Sequence, residues 1–407
     1  MNILFLTILG INDVAERGLY TDLMRQFSKE GHSVYIACPL ERRFKRNTCI
    51  STENGIQILR IKTLNFQKAN IIEKGIGTLL LENQYFKAIK KYYSEVKFDL
   101  VLYSTPPITF TKVVSFFKRR DQAKSYLLLK DIFPQNAVDL GMFRLGGILH
   151  RYFRKKEKAL YAVSDYIGCM SPANVEFVRK NNNELDPDRI EVNPNSIDPI
   201  ETFISKEDRN RLRTNYSIPL NATVFIYGGN LGKPQGIDFL IEIIRSNCDQ
   251  KHMYFMVVGT GTEFPKLKEW FEVNKPINAA LIEGLVKDDY DQLLQSCDVG
   301  LIFLDRRFTI PNFPSRLLSY MECKMPVLAA TDINTDIGRI IEENQFGFWC
   351  LNGDTFKFNQ YLNMLSADRV LCEKMGHNSY SYLMKNYLTM HSYQKIINHF
   401  PVCTSYS

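Results

Sequence analysis

The sequence predicts two doubly wound, Rossmann-like α/β domains joined by a polar connection. Three observations carry that expectation. The chain has 407 residues, more than one compact core serves. Short β-branched or apolar runs alternate with stretches of helical periodicity from end to end, the pattern of parallel α/β sheets. That alternation lapses once, across "NPNSIDPIETFISKEDRNRLRTNYSIPLNA" (residues 193–222), where Pro, Asn and charged residues gather as they do between domains.

Taken in order, "NILFLTI" is the first strand. Its apolar run is short, it has no basic leader, and no small-residue cleavage site follows, so it does not read as a signal peptide. "ERGLYTDLMRQFSKEGH" carries apolar positions at helical spacing, with Gly31 as its stop. "SVYIACP", "FDLVLYST", "SYLLLKD" and "DYIGCMS" continue the strands of the first half. After the polar connection, strands resume at "TVFIYGG", "MYFMVVGTG", "AALIEG", "DVGLIFL", "PVLAATD" and "GFWCLNG", each followed by a helix-like segment. "SYSYLMKNYLTMHSYQKIINHF" closes the chain as one or two helices. The expected organisation is a first domain over residues 1–200 and a second over 201–385. Residues 386–407 form a C-terminal helix able to pack back on the first domain.

Composition narrows the class. A hydrophobic fraction of 45% and a charged fraction of 23% belong to an ordinary globular protein and exclude disordered or collagen-like chains. Nine scattered cysteines, an odd total without a C-x-x-C pair, argue against a disulfide framework and a zinc ribbon, and fit a reducing cytosol. No run approaches the roughly 18 apolar residues of a spanning helix. The net charge of +7 is uneven: residues 1–200 hold 30 Lys and Arg against 21 Asp and Glu, and the rest hold 21 against 23. A basic first half suits an anionic membrane surface or a nucleic acid.

Two stretches of the second half have the makings of a phosphate site. "YGGNLGKPQG" (227–236) is a glycine-rich turn between a strand and a helix. Its glycines permit close backbone approach to a phosphate, the helix start adds partial positive charge, and Lys233 adds a cation. A tight turn with incidental glycines is the plainer alternative. "FPSRLLSYMEC" (313–323) has Pro314 suited to a first helical turn and Ser315 and Arg316 near its positive end. Arg316 is a natural bidentate partner for phosphate oxygens. Ser315, Ser319 and Glu322 share one helix face, unless Arg316 and Glu322 are solvated surface charges. Read together, the two helix starts can bracket a diphosphate.

The order "YGGNLGKPQGID", "VVGTG", "IEGLV…LLQSCDVGLI", "FPSRLLSYMECKMPVLAATD" resembles glycosyltransferase family 4, the retaining nucleotide-sugar enzymes of GT-B fold. The likeness covers residues 222–352 and extends more loosely through "GHSV", "FDLVLYSTPP", "LLLKDIFP", "SDYIGCMSPAN" and "VNPNSID". It implies two facing Rossmann-like domains with an interdomain cleft and a donor site in the second. Gly229, Asn230, Gly232 and Lys233 then face the donor diphosphate, with Phe313, Ser315 and Arg316 opposite. Glu283, Gly284 and Leu285 belong to the loop whose backbone reads the base, with UDP favoured over GDP. The family's basic positions in the first turn fall on Asn230 and Gln235, so Lys233 is left to supply charge. Its Glu-x7-Glu motif falls on Pro311 and Ser319, and Glu322 is the candidate substitute for the ribose contact.

The resemblance also places the acceptor in the first domain and nominates Asp131 of "KDIFPQ". Asp131 then stabilises developing oxocarbenium charge or orients the acceptor hydroxyl, unless it simply caps the next turn. Asp131, Lys233 and Arg316 are the catalytic candidates. No metal or other cofactor is expected, because helix starts and cations do the neutralising. "DPD" at 186–188, formally an Asp-x-Asp match, reads as a turn. "ERRFKR" (41–46), "FFKRR" (116–120) and "RLGGILHRYFRKKEK" (144–158) mix cations with apolar residues. On a helix, Ile148, Leu149, Tyr152 and Phe153 make an apolar strip beside Arg151, Arg154, Lys155, Lys156 and Lys158, which fits an anionic bilayer, or else the underside of a sheet. No recognised nucleic-acid module accompanies the charge. The expected partners are a nucleotide-sugar donor, a polyprenyl-diphosphate-linked glycan acceptor and the membrane's cytosolic face. The expected location is the cytoplasm, peripheral to the inner membrane face. The expected activity is hexosyl or N-acetylhexosaminyl transfer in capsule or O-antigen synthesis. Nucleotide-sugar 2-epimerisation and an inactive scaffold are the alternatives.

Overall fold

In the computed structural model, which describes residues 1–66, 71–201 and 204–400, the chain divides into two compact units. One comprises Met1–Asp198 with Thr389–Ser407, the other Pro199–Leu388. The architecture is GT-B, with two Rossmann-like halves.

The first unit holds strands β1 (Asn2–Leu6), β2 (Ser33–Glu41), β3 (Cys49–Glu53), β4 (Ile56–Thr63), β5 (Leu100–Ser104), β6 (Lys124–Leu129), β7 (Tyr166–Cys169) and β8 (Ile190–Val192). They form one sheet in the order β3-β4-β2-β1-β5-β6-β7-β8. Every pair is parallel except β3–β4, a hairpin whose turn residues Asn54 and Gly55 have φ of 49° and 78°. Asn-Gly supplies the left-handed pair that a two-residue hairpin turn needs. The helix Leu19–Lys29 buries Leu23, Met24 and Phe27 against Ile3, Phe5 and Ile36, and stops before Gly31 at φ 83°. The C-terminal helix Thr389–Ile397 joins this same core through Ile396. Tyr393 seats its ring against Phe27 and its hydroxyl 3.0 Å from His32 Nε2.

The second unit holds β9 (Thr223–Asn230), β10 (Met253–Thr260), β11 (Ala279–Glu283), β12 (Val299–Phe303), β13 (Val327–Thr331) and β14 (Gly347–Leu351). All pairs are parallel, in the order β11-β10-β9-β12-β13-β14. The order reverses between β9 and β12, and ligands of such sheets bind beyond the strand ends at that point. These two strands pair at Val299–Phe225 and Gly300–Ile226, next to the Asp298 N–H that donates to the Val224 carbonyl at 2.9 Å. Further along, the Tyr320 hydroxyl fills the gap, 3.2 Å from both the Gly228 N–H and the Ile226 carbonyl and 3.1 Å from that of Leu301.

The polar segment before β9 contains a helix, Lys206–Asn215, capped by Ser205. Its buried face is held by cations: Arg209 and Arg213 both grip Asp298, and Arg213 also donates to the Leu220 and Ala222 carbonyls at 3.0 Å. A helix attached by ion pairs has no hydrophobic period to read, which is why the sequence pattern lapses there.

Candidate functional site

β9 ends in Gly229 and Asn230, and the chain then passes Leu231 and Gly232, makes a short 3-10 turn over Lys233–Gln235, and enters the helix Ile237–Ser246. Gly229 has φ of 115° and Gly236 of 56°, values that favour glycine. Buried Leu231 pins the turn: its N–H donates to the Thr260 carbonyl at 2.8 Å and its carbonyl accepts from Glu263 at 2.9 Å. Gly259 and Gly261 of "VVGTG" permit this contact. A Cβ on them would lie 1.9 Å from the Gly229 oxygen and 2.3 Å from the Leu231 oxygen.

Arg316 opens the short helix Arg316–Glu322 and lays its guanidinium over Tyr227, 4.2 Å from the ring centroid. A cation held on an aromatic face gains about 0.5–2 kcal/mol, more as water is excluded. A Cβ on Gly229 would lie 3.7 Å from Arg316 Nη2, so the guanidinium adjoins the exposed turn backbone. Among the described residues, Arg316 Nη1 is buried and has no hydrogen-bond partner. A buried guanidinium N–H left unpaired is costly unless a ligand completes it. The surrounding cage is aromatic: a Cβ at Gly300 would meet the Tyr320 ring at 2.3 Å, and one at Gly228 the Tyr290 hydroxyl at 1.9 Å. Those two glycines exist to admit the rings.

The structure brings Gly229, Asn230, Gly232, Lys233 and Arg316 to one strand-end region of the second unit. Asn230 folds its carboxamide toward Gly232, Lys233 is exposed without an ionic partner among the described residues, and Gln235 Oε1 is buried without a partner. Glu283 ends β11 and Gly284 and Leu285 follow it, with Gly284 at φ 66° beside Thr260 and Glu283 exposed. Phe313 is buried with its ring 6.3 Å from that of Tyr387, and Ser315 is exposed. Ser319 is half-buried. Glu322 is 7% exposed and accepts the Ile200 N–H at 2.8 Å, so that oxygen anchors the start of the second unit. The shared face of Ser315, Ser319 and Glu322 therefore runs from solvent into the protein frame.

Asp131 lies in the first unit, two residues beyond β6. Asn136 Nδ2 donates to both its carboxylate oxygens at 2.9 Å, and burial pushes its pKa up to about 6. "DPD" is a turn: Asp186 Oδ1 accepts the Asp188 N–H at 3.0 Å. The basic stretches divide. Arg42, Arg43, Lys45 and Arg46 are exposed. In "FFKRR", Lys118 pairs with Asp165 and Arg120 with Asp121, so that stretch is largely internal. On the helix Ile148–Val163, Ile148, Leu149 and Tyr152 are exposed at 88%, 57% and 40%, beside exposed Met142 and Leu145. Phe153 departs from the expected strip, because Phe133 and Phe143 hold it inward. Arg154 departs too, paired with Glu157 and Asn182.

Sequence reasoning missed Tyr227, Tyr290 and Tyr320 as the cage of Arg316. The small residues opposite them, Gly228 and Gly300, were the readable signal. It also passed over Lys130, and over Arg306 and Arg307, which lie exposed after β12 where the Asp305 N–H donates to the Pro234 carbonyl at 2.9 Å.

Residues 208–382 match the family model described as Glycosyl transferases group 1. A probable glycosyltransferase of Pseudomonas aeruginosa, WbjE, is 23% identical over 290 residues, covering 70% of each chain. A putative colanic acid biosynthesis glycosyl transferase of Escherichia coli, WcaI, is 23% identical over 34% of each chain. Among solved structures, Anabaena HepE in complex with UDP-glucose is similar in fold at a TM-score of 0.70 and 16% identity, covering 98% of this chain and 99% of that one.

Proposed function

We propose that this chain, a glycosyltransferase whose second unit carries a group 1 glycosyl transferase domain, moves a hexose or N-acetylhexosamine from a UDP-sugar to a lipid-linked surface glycan, with retention at the anomeric carbon. One observation supports the donor site most directly: Arg316 keeps a buried, unpaired Nη1 beside the Gly229 turn, at the point where the strand order reverses. A diphosphate seated there accepts from Arg316 and from backbone N–H groups of the turn, and Lys233 closes over it.

In the reaction, the acceptor oxygen bonds to the anomeric carbon on the face from which the diphosphate departs. The carbon–phosphate-oxygen bond breaks, and the acceptor proton passes to the leaving phosphate. The protein's share is to hold the reactants in line and to neutralise the departing charge. Arg316 and Lys233 do the latter, so the reaction is metal-independent. Asp131, in the first unit, orients the acceptor hydroxyl. The favoured glycan class follows the colanic acid name of the Escherichia coli relative.

The exposed Met142, Leu145, Ile148, Leu149 and Tyr152, with Arg144, Arg151 and Lys155 exposed among them, fit the cytosolic face of an anionic bilayer. Among the described residues, no helix is long and apolar enough to cross a membrane. The test is turnover of a UDP-sugar and GDP-sugar panel with membrane-extracted lipid-linked glycan as acceptor. Product with a UDP-sugar, undiminished by a chelator, is expected. A 2-epimerised sugar in the NMR spectrum of a UDP-N-acetylhexosamine incubated without acceptor, with no transfer product when acceptor is added, would replace this reading with the epimerase.

A further inference from the structure

We propose that a cavity beside the helix Ile148–Val163 binds one pyranose ring of the acceptor, the sugar that precedes the one receiving the donor, so that the acceptor carries at least two sugars. This rests on the transferase reading above and names the length of acceptor within it.

The cavity lies wholly in the first unit and has a volume of about 210 Å³. Three segments wall it: residues 132–135 after β6, the helix Ile148–Val163 with Leu145 before it, and the end of the helix Pro172–Asn181. The volume falls below the ~300–1,000 Å³ of pockets for drug-sized ligands, so it takes one ring and not a run of sugars. Bonds between the two helices hold the walls. Arg154 Nη1 donates to Glu157 Oε2 at 2.5 Å, and Arg154 Nη2 donates to the Asn181 carbonyl at 2.6 Å and to Asn182 Oδ1 at 2.7 Å. The Tyr161 hydroxyl donates to Glu157 Oε1 at 2.8 Å. A site tied together in this way is formed before its ligand arrives, which limits the ordering cost of binding.

The lining has both of the surfaces that a sugar ring needs. Ile132, Pro134 and Phe177 offer apolar area to the ring's C–H groups, and His150 and Glu157 offer hydrogen bonds. His150 Nδ1 accepts the Gly146 N–H at 3.2 Å, so its hydrogen sits on Nε2, which is a donor. Each Glu157 oxygen accepts one of the bonds above and keeps a second lone pair for a hydroxyl. A phosphate would face the Glu157 carboxylate while Arg154 is already engaged. A hydrocarbon chain would strip water from His150 and Glu157 and return no hydrogen bond.

Position agrees with chemistry. Ile132 directly follows Asp131, and Glu157 adds to burial in raising the Asp131 carboxyl's pKa, so the cavity adjoins the residue assigned to the acceptor hydroxyl. At its rim, Leu145 is 65% exposed and belongs to the outward apolar patch with Ile148 and Leu149. A linear acceptor running from that patch to Asp131 has its lipid in the bilayer, its diphosphate by exposed Arg144 and Arg151, and its first sugar in the cavity. The chain is then an elongating transferase, and an earlier transfer of a sugar onto the lipid must supply its substrate.

The experiment measures transfer from the UDP-sugar to octyl mono- and disaccharide glycosides and to the lipid-linked extract, with product masses read on the extract and UDP affinity by calorimetry. Disaccharides are expected to exceed monosaccharides about tenfold or more in kcat/KM, and the lightest product on the extract to carry three sugars. His150→Ala and Phe177→Leu are each expected to cut the disaccharide's advantage about fivefold or more, with UDP affinity as in the wild type. Being a ratio, this readout is unmoved by a general loss of active protein, and either variant serves if the other fails to fold. Equal kcat/KM for the two acceptor lengths, a two-sugar product on the extract, or an unchanged ratio in the folded variants overturns the subsite and leaves the donor reading standing. An advantage gained by lengthening octyl to dodecyl at a fixed sugar, and lost in the same variants, gives the cavity to lipid and also overturns it. No transfer by the wild-type protein to any of these acceptors removes the transferase reading and this subsite together.

Discussion

Gly300 and Asp131 show how single residues trade stability for a site. Gly300 leaves room for the Tyr320 ring, whose hydroxyl bridges the parted ends of β9 and β12. Gly300→Ala puts a methyl 2.3 Å from that ring, which is fully buried. The expected cost is about 1–3 kcal/mol in urea denaturation, with UDP affinity falling because Tyr320 supports the Gly228 turn. A variant with an unchanged denaturation midpoint would mean that Tyr320 is not the bridge described. At Asp131, the folded pKa of about 6 lies above the ordinary 3.8. The folded state therefore favours the protonated acid. The stability linked to this group is present at low pH and is lost as pH rises through about 4 to 6. Asp131→Asn should accordingly gain stability relative to wild type as pH rises across that window, by on the order of 1–3 kcal/mol, measured by melting at pH 4 and pH 7.5. A constant difference between the two pH values would contradict the buried carboxyl. Such a gain, accompanied by lost transfer, is what a residue kept for function produces.

At the scale of elements, strands with strong apolar runs were legible because their burial on both faces writes itself into composition. The hairpin Cys49–Glu53 and Ile56–Thr63 was missed, although Asn54-Gly55 is a readable hairpin turn. The helix Lys206–Asn215 escaped because Arg209 and Arg213, and not apolar residues, fasten it to Asp298. The helix Ile148–Val163 was legible as amphipathic, but which of its apolar residues turn outward was not. Phe153 packs on the touching rings of Phe133 and Phe143, partners distant enough in sequence that no helical period reveals them. The exposed remainder makes a prediction at this scale. Replacing Ile148 and Leu149 together by Asp should reduce sedimentation with phosphatidylglycerol-rich vesicles about tenfold or more and leave UDP affinity unchanged. Equal sedimentation of the double variant would detach this helix from any membrane role.

For the whole molecule, the doubly wound halves were readable because each strand and helix repeats one local pattern, and the glycine-rich turn gained meaning from its place at the head of the second sheet. The cage around Arg316 was not readable. Tyr227, Tyr290 and Tyr320 converge from β9, the helix after β11 and the helix after β12, and only the sheet order brings them together. The central claim is that this cage holds a cation in wait for a nucleoside diphosphate. Titrating UDP into the full-length protein and into Arg316→Ala tests it most directly, with melting temperatures to show that both are folded. The account predicts saturable UDP binding by the wild type and a loss of about tenfold or more in the variant. Equal UDP affinity in the two folded proteins would contradict it.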